Sequence, residues 1–200
     1  MRQLHRKDLW SWSVFDQARN LDFNSLAWIR ADGNVLVDPL PISDHDLRHL
    51  EELGGAAWIV VTNSDHTRAA AELSLRFGAK LAGPAGERGQ LPFACARWLS
   101  EGDELVPGLA AIELHGSKTP GELALVLEDT TLITGDLVRG QALGKLNLLP
   151  DAKLADRAAA LASVRRLAAL GQVEAVLVGD GWPIAHGGHA LLRALVAELD

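Results

Sequence analysis

The stretch that most restricts the fold runs from Trp58 to Arg68. Trp58, Ile59, Val60 and Val61 form an unbroken apolar run, Thr62 ends it, and Asn63, Ser64, Asp65, His66, Thr67 and Arg68 follow without a spacer. Apolar side chains at every position, instead of every second one, belong to a strand covered on both faces. Behind it the run Ala69-Ala70-Ala71-Glu72-Leu73 carries an apolar-periodic helix, expected over 67–77 with Gly78 as its stop.

The same reading places strands at 9–15, 25–30 and 34–39, the last two joined through Ala31-Asp32-Gly33, a hairpin signal. Ser43 is the expected N-cap of a helix over 44–53, with Leu47, Leu50 and Leu53 on its apolar face and Gly54-Gly55 as its stop. Short strands are expected at 80–82, 96–99 and 109–114, and a hairpin joins 123–127 to 131–134. The longest helix is expected over 151–170, with an apolar stripe of Leu154, Leu161, Val164 and Ala168. A buried strand at 173–178 and a helix at 188–199 close the chain, and 140–150 reads as a loop. Two halves of mixed α/β (α+β) character imply one domain over 1–200, a four-layered αββα sandwich.

Composition narrows function mainly by exclusion. At 48% hydrophobic and 22% charged, 200 residues can bury one sizeable core. The net charge of -7 leaves no cationic excess to neutralise phosphates, so no nucleic-acid partner is expected. One cysteine, Cys95, excludes an internal disulfide and a multi-cysteine zinc site. No apolar stretch approaches a membrane span and none follows the charged N-terminus, so the expected location is cytoplasmic and the expected partner a small molecule. A homo-oligomer stays open. No Gly-x-Ser-x-Gly, P-loop or Gly-x-Gly-x-x-Gly motif is present.

Four further polar turns follow strands: Val35-Leu36-Val37-Asp38-Pro39, Gly116-Ser117-Lys118-Thr119-Pro120-Gly121-Glu122, Leu132-Ile133-Thr134-Gly135-Asp136, and Val178-Gly179-Asp180-Gly181. With the 58–68 unit they resemble, in order and strand context, the metallo-β-lactamase superfamily over residues 24–182. Laid on that family's Thr-His-x-His-x-Asp-His motif, the four ligand positions hold Asn63, Asp65, Thr67 and Arg68. Lys118 stands where a metal-binding His belongs, Asp136 where an Asp bridges two metals in many members, and Asp180 where the last His would be. Asp38 matches an Asp that braces the metal loop. A second register sets Asp65-His66 on the Asp-His pair of the motif, but it places Val61 and Asn63 at first-metal positions. The first register is preferred because strand end and helix start then fall correctly.

Zinc favours His and Cys with some carboxylate, whereas Lys and Arg offer no lone pair at neutral pH. The resemblance therefore implies a degraded zinc site with no resident cofactor, and a hydrolase-like or small-molecule-binding pocket. Asp65, Asp136 and Lys118 are its candidate catalytic residues; Asn63, Arg68, Asp180 and Trp182 are candidates for substrate binding. Three carboxylates against two fixed cations leave one negative charge to be met by a proton or a cation. One alternative is a metallohydrolase with a weak divalent site (Mg²⁺, Mn²⁺ or Zn²⁺) on Asp65, His66, Asp136 and Asp180. Others are a remnant network that holds loops together and a non-catalytic partner-binding protein. His45 and His49, at i,i+4 spacing, read as a solvated helix face, and His115, His186 and His189 as surface or capping residues.

Overall fold

Strands covered on both faces need two inner sheets with helices outside them, and the chain builds that arrangement. A computed structural model describes residues 1–199. The first sheet has the order β1 (Arg2–Gln3), β2 (Leu9–Asp16), β3 (Leu21–Trp28), β4 (Val35–Val37), β5 (Trp58–Val60), β6 (Lys80–Pro84) and β7 (Arg97–Leu99). The second has five strands: β8 (Glu104–Val106), β9 (Leu109–Glu113), β10 (Leu123–Leu127), β11 (Thr131–Thr134) and β14 (Ala175–Val178), with β14 beside β11 at one end. A separate hairpin joins β12 (Val138–Ala142) to β13 (Lys145–Leu148).

Alternation along the strands divides the interior into three layers. Val35, Val37 and Val60 meet Leu123, Leu125, Ile133 and Leu177 between the sheets. Leu36, Ile59 and Val61 face outward onto Leu50 of α1 (Asp44–Glu52) and Leu73 of α2 (Ala70–Phe77). Ala124, Leu132 and Val176 face the other way, onto Val164 of α3 (Arg157–Ala168) and Leu192 of α4 (Gly188–Leu199). The four-layered sandwich expected from the sequence is therefore present.

Several boundaries differ from expectation. Strand β3 begins at Leu21 instead of 25, because its register with β2 runs through Asp16 opposite Leu21. Helix α2 begins at Ala70, not 67: Arg68 has φ 35°, a left-handed conformation that cannot sit inside a helix. A 3₁₀ turn, Ser64–His66, fills the space before it. Helix α3 starts at Arg157 because the Asp156 side chain accepts from the Ala159 N–H at 3.0 Å, while Asp151–Lys153 form a separate turn. Strand β8 and the β12–β13 hairpin lie in segments read as connections, and Gly140 and Gln141 gave that hairpin no apolar alternation to detect.

The five polar turns all reach one edge. Strands β4 and β5 are parallel, as are β11 and β14, and β9 runs with β11 because both are antiparallel to β10. Within each sheet their C-terminal ends therefore point the same way. The Leu123 N–H, donating to the Thr62 carbonyl at 2.8 Å, brings the two sets to one edge, which is where open α/β sheets place ligand sites. Asn24, buried in β3, joins the two sheets there: its N–H donates to the Gly179 carbonyl at 2.8 Å and its Nδ2 to Val178 and Gly181 carbonyls at 3.0 and 2.8 Å.

Candidate functional site

Asp38, just past β4, sets the floor. Its carboxylate accepts from the Thr62 N–H at 2.7 Å and the Thr62 hydroxyl at 2.6 Å, and it faces His66 Nδ1 at 2.8 Å. The loop after β5 is thereby braced, as the resemblance implied. Asn63 shapes the next turn by accepting from the Asp65 N–H at 3.0 Å, and it donates Nδ2 to Asp136 Oδ2 at 3.0 Å. The resulting 3₁₀ turn sends His66 inward, 4% exposed, and Asp65 outward.

Lys118 lies between two carboxylates. Its ammonium is 2.8 Å from Asp65 Oδ2 and 3.0 Å from Asp136 Oδ2. Arg68 directs Nη1 at the Asn24 and Asp38 carbonyls at 2.9 and 3.1 Å, which leaves Nη2 3.8 Å from Asp180 Oδ1. Asp180 is ion-paired through its other oxygen with the buried Arg139. A cavity of about 430 Å³ opens above these groups, walled by Asp65, His66, Arg68, Lys118, Asp136 and Asp180, with Phe23, Leu40 and Arg19 at its side.

Of the residues singled out from the sequence, Asp65, Arg68, Lys118, Asp136 and Asp180 come together in this wall, joined by His66. Asn63 lies fully buried, bonded to Asp136, and is not a wall residue. Trp182 is 49% exposed and outside the wall; its N–H is tied to the Gly140 carbonyl at 2.6 Å. Val61, a first-metal position in the second register, packs in the outer core. His45 is exposed and His49 packs edge-on against Trp10 at 4.7 Å.

The charge count made from sequence was incomplete. It missed Arg139, a lone cation in an otherwise apolar strand beginning, and Glu122, the last polar residue before β10. Glu122 is fully buried and accepts from the Asp136 and Leu137 N–H groups, each at 2.8 Å. It thus holds the turn that presents Asp136. Arg19 and Phe23 were missed as well, because their place beside the cavity depends on how the β2–β3 hairpin folds over it.

Electrostatics follow from this crowding. Burial alone would lower the His66 pKa, but the Asp38 charge and the bonds to Asp136 and Asp38 overcome it and raise it to about 10. Burial and the Asp136 charge push Glu122 up to about 7, against the hydrogen bonds it accepts. Burial would also raise Asp136, yet His66 and Lys118 hold it well below the usual carboxylate range. Lys118 is raised: Asp136 and Asp65 outweigh its burial.

Replacing Lys118 by methionine is expected to destabilise the fold by about 1–2 kcal/mol. That is less than the roughly 3–5 kcal/mol for a fully buried pair, because 27% of the side chain is open to solvent and water screens it. Urea denaturation checks this; an unchanged midpoint would mean that Lys118 contributes nothing to holding Asp136.

One ligand atom from each of His66, Asp136 and Asp180 lies within 4.8 Å of the others, so these three can converge on a single ion. Asp65, the fourth residue of the metal alternative, is not in that group.

A family model described as the metallo-beta-lactamase superfamily matches residues 1–199. No match was found among curated protein sequences. Among solved structures, a metallo-beta-lactamase from Pontibacter korlensis is similar at TM-score 0.75 and 15% identity, over 97% of this chain and 95% of that one. The FIM-1 enzyme from Pseudomonas aeruginosa in its mono-zinc form gives 0.73 and 15%, over 96% and 92%. A metallo-beta-lactamase family protein from Thermus thermophilus gives 0.71 and 19%, over 96% and 78%. At these identities the structural likeness speaks for the fold, and with the family model spanning residues 1–199 the chain belongs to the metallo-β-lactamase superfamily.

Proposed function

We propose that this protein binds a small anionic molecule in the central cavity without a resident zinc, with Lys118 and Arg68 supplying positive charge from the protein itself. The observation that carries this reading is the Lys118 ammonium, held 2.8 and 3.0 Å from the carboxylates of Asp65 and Asp136. An ammonium has three donors and no lone pair, so it fills the role of a cation between those oxygens and repels another one. The rest of the donor set fits zinc poorly for the same reason. Asp180 is engaged by Arg139 and faced by Arg68, and His66 points one ring nitrogen at Asp38 and the other at Asp136, 3.5 Å away.

In this reading Lys118 and Arg68 bind the anion and Asp136 positions Lys118. Asp65, whose side chain is 53% exposed, is the carboxylate open enough to accept a proton if the pocket is catalytic in a hydrolase-like way. The second reading, a weak divalent site, rests on the convergence of His66, Asp136 and Asp180. Oxygen-rich donors favour Mg²⁺ or Mn²⁺ there.

Elemental analysis and melting curves separate the two. Protein dialysed without chelator is expected to carry no stoichiometric zinc, and millimolar Mg²⁺ or Mn²⁺ is expected to move the melting temperature little. A tight site at hundredfold excess over its dissociation constant would add about 2.7 kcal/mol. One zinc per chain, or a large metal-dependent rise that vanishes in Asp136→Asn, would establish the second reading in place of the first.

A further inference from the structure

Donors left over around the cavity identify the kind of anion. Arg68 is fixed through Nη1 to two backbone carbonyls, and no hydrogen bond within the protein engages its Nε and Nη2 among the described residues. Asp180 Oδ1, buried and 3.8 Å away, finds no hydrogen-bond partner among the described residues, so Arg68 is held short of the acid it faces. Its backbone is in the left-handed region at φ 35°, strained for a residue with a side chain. That conformation belongs to a loop that aims a guanidinium across the strand ends. Lys118 commits two of its three N–H donors to Asp65 and Asp136. Arg19 is 61% exposed and meets Asp16 only at 3.7 Å.

The same guanidiniums share one aromatic ring. The Arg19 and Arg68 guanidinium carbons lie 5.4 and 5.6 Å from the centre of Phe23, whose ring, with Leu40, makes the apolar side of the cavity. Planar forks beside a planar ring suit a flat ligand with a carboxylate at its edge, because guanidinium binds carboxylate through two parallel N–H···O bonds. Wall carboxylates limit the charge such a ligand can carry. Asp65, Asp136 and Asp180 stand in the same cavity, so a dianion meets twice the repulsion from them that a monoanion does.

Resting on the anion-binding reading above, we infer that the cavity takes a small, flat monocarboxylate, its carboxylate on Arg68 and Arg19 with Lys118 in reach and its body against Phe23 and Leu40.

Calorimetric titration of the intact protein with benzoate, benzamide, acetate and phenyl phosphate tests this. Benzoate is expected to bind saturably, benzamide and acetate at least about tenfold more weakly, and phenyl phosphate more weakly than benzoate. Arg68→Gln is expected to weaken benzoate about tenfold or more. Because Arg68 also bonds the backbone, Arg19→Gln serves as a second variant on an exposed side chain, expected to weaken benzoate severalfold with an unchanged melting temperature. Phe23→Leu is expected to narrow the gap between benzoate and acetate. Tighter binding of phenyl phosphate, or equal binding of benzamide, would overturn the monocarboxylate while leaving a small-molecule pocket in place. No saturable binding of benzoate, acetate or phenyl phosphate would overturn the anion-binding reading itself.

Discussion

Asp180→Ala is expected to cost about 3–5 kcal/mol of unfolding free energy, the range for removing one partner of a buried ion pair. Asp180 and Arg139 have 3% and 6% of their side chains exposed, and Asp180 supplies the only hydrogen bond seen for the Arg139 guanidinium among the described residues. Without Asp180 the guanidinium is left buried and unpaired beneath the cavity. Removing both charges in Asp180→Ala/Arg139→Met is expected to recover most of the loss, since the penalty lies in the orphaned charge and not in the pair's net contribution. Urea denaturation of the three proteins reads this out. A single variant within about 1 kcal/mol of wild type would mean that water or a shifted Arg139 relieves the charge.

Stability is expected to fall as pH rises from about 6.5 to about 10. The folded protein holds the His66 proton up to about 10, whereas an unfolded histidine releases it near 6.5. Between those values the native state binds more protons, so the slope of stability with pH is negative. The contribution is fully present below 6.5 and gone above the folded pKa. Its size is on the order of 3–5 kcal/mol at about 1.4 kcal/mol per pKa unit, with the low end favoured by the coupling to Asp38 and Asp136.

Glu122 acts in the same direction at lower pH. With a folded pKa of about 7 against 4.5 unfolded, its contribution declines between those values as pH rises. Asp136 acts in the opposite direction, adding stability above its unfolded value of 3.8 and losing it as acid protonates the folded carboxylate. Maximum stability is thus expected on the acid side of neutrality. Denaturation midpoints at pH 6, 8 and 10 check the alkaline limb, and His66→Gln should flatten it. A wild-type midpoint that does not change over that range would show that His66 is neutral between its two carboxylates.

Much of this arrangement is legible in the chain because it depends on local patterns. Apolar runs at 58–61 and 123–127 require strands covered on both sides, and the period-3.6 segments require helices to cover them. Polar turns such as Thr134-Gly135-Asp136 mark where those strands stop, and strand direction then sends them to a common edge. Gly135 is needed there because a Cβ would meet Thr62 Oγ1 at 2.6 Å. That closeness is visible only once the two sheets are packed.

What tertiary structure alone decided is the partner of each charge. In the preferred register His66 reads from sequence as a spacer between ligand positions, yet the 3₁₀ turn capped by Asn63 turns it into the floor, between acids 28 residues before it and 70 after it. Glu122 and Arg139 look like ordinary charges at strand ends. Burial makes one the support of the Asp136 turn and the other the counter-ion of Asp180. Local sequence sets the backbone period and the ends of elements through short-range sterics and hydrogen bonding. Charge pairing depends on distances across the two sheets and on loss of water, and neither exists until the layers close.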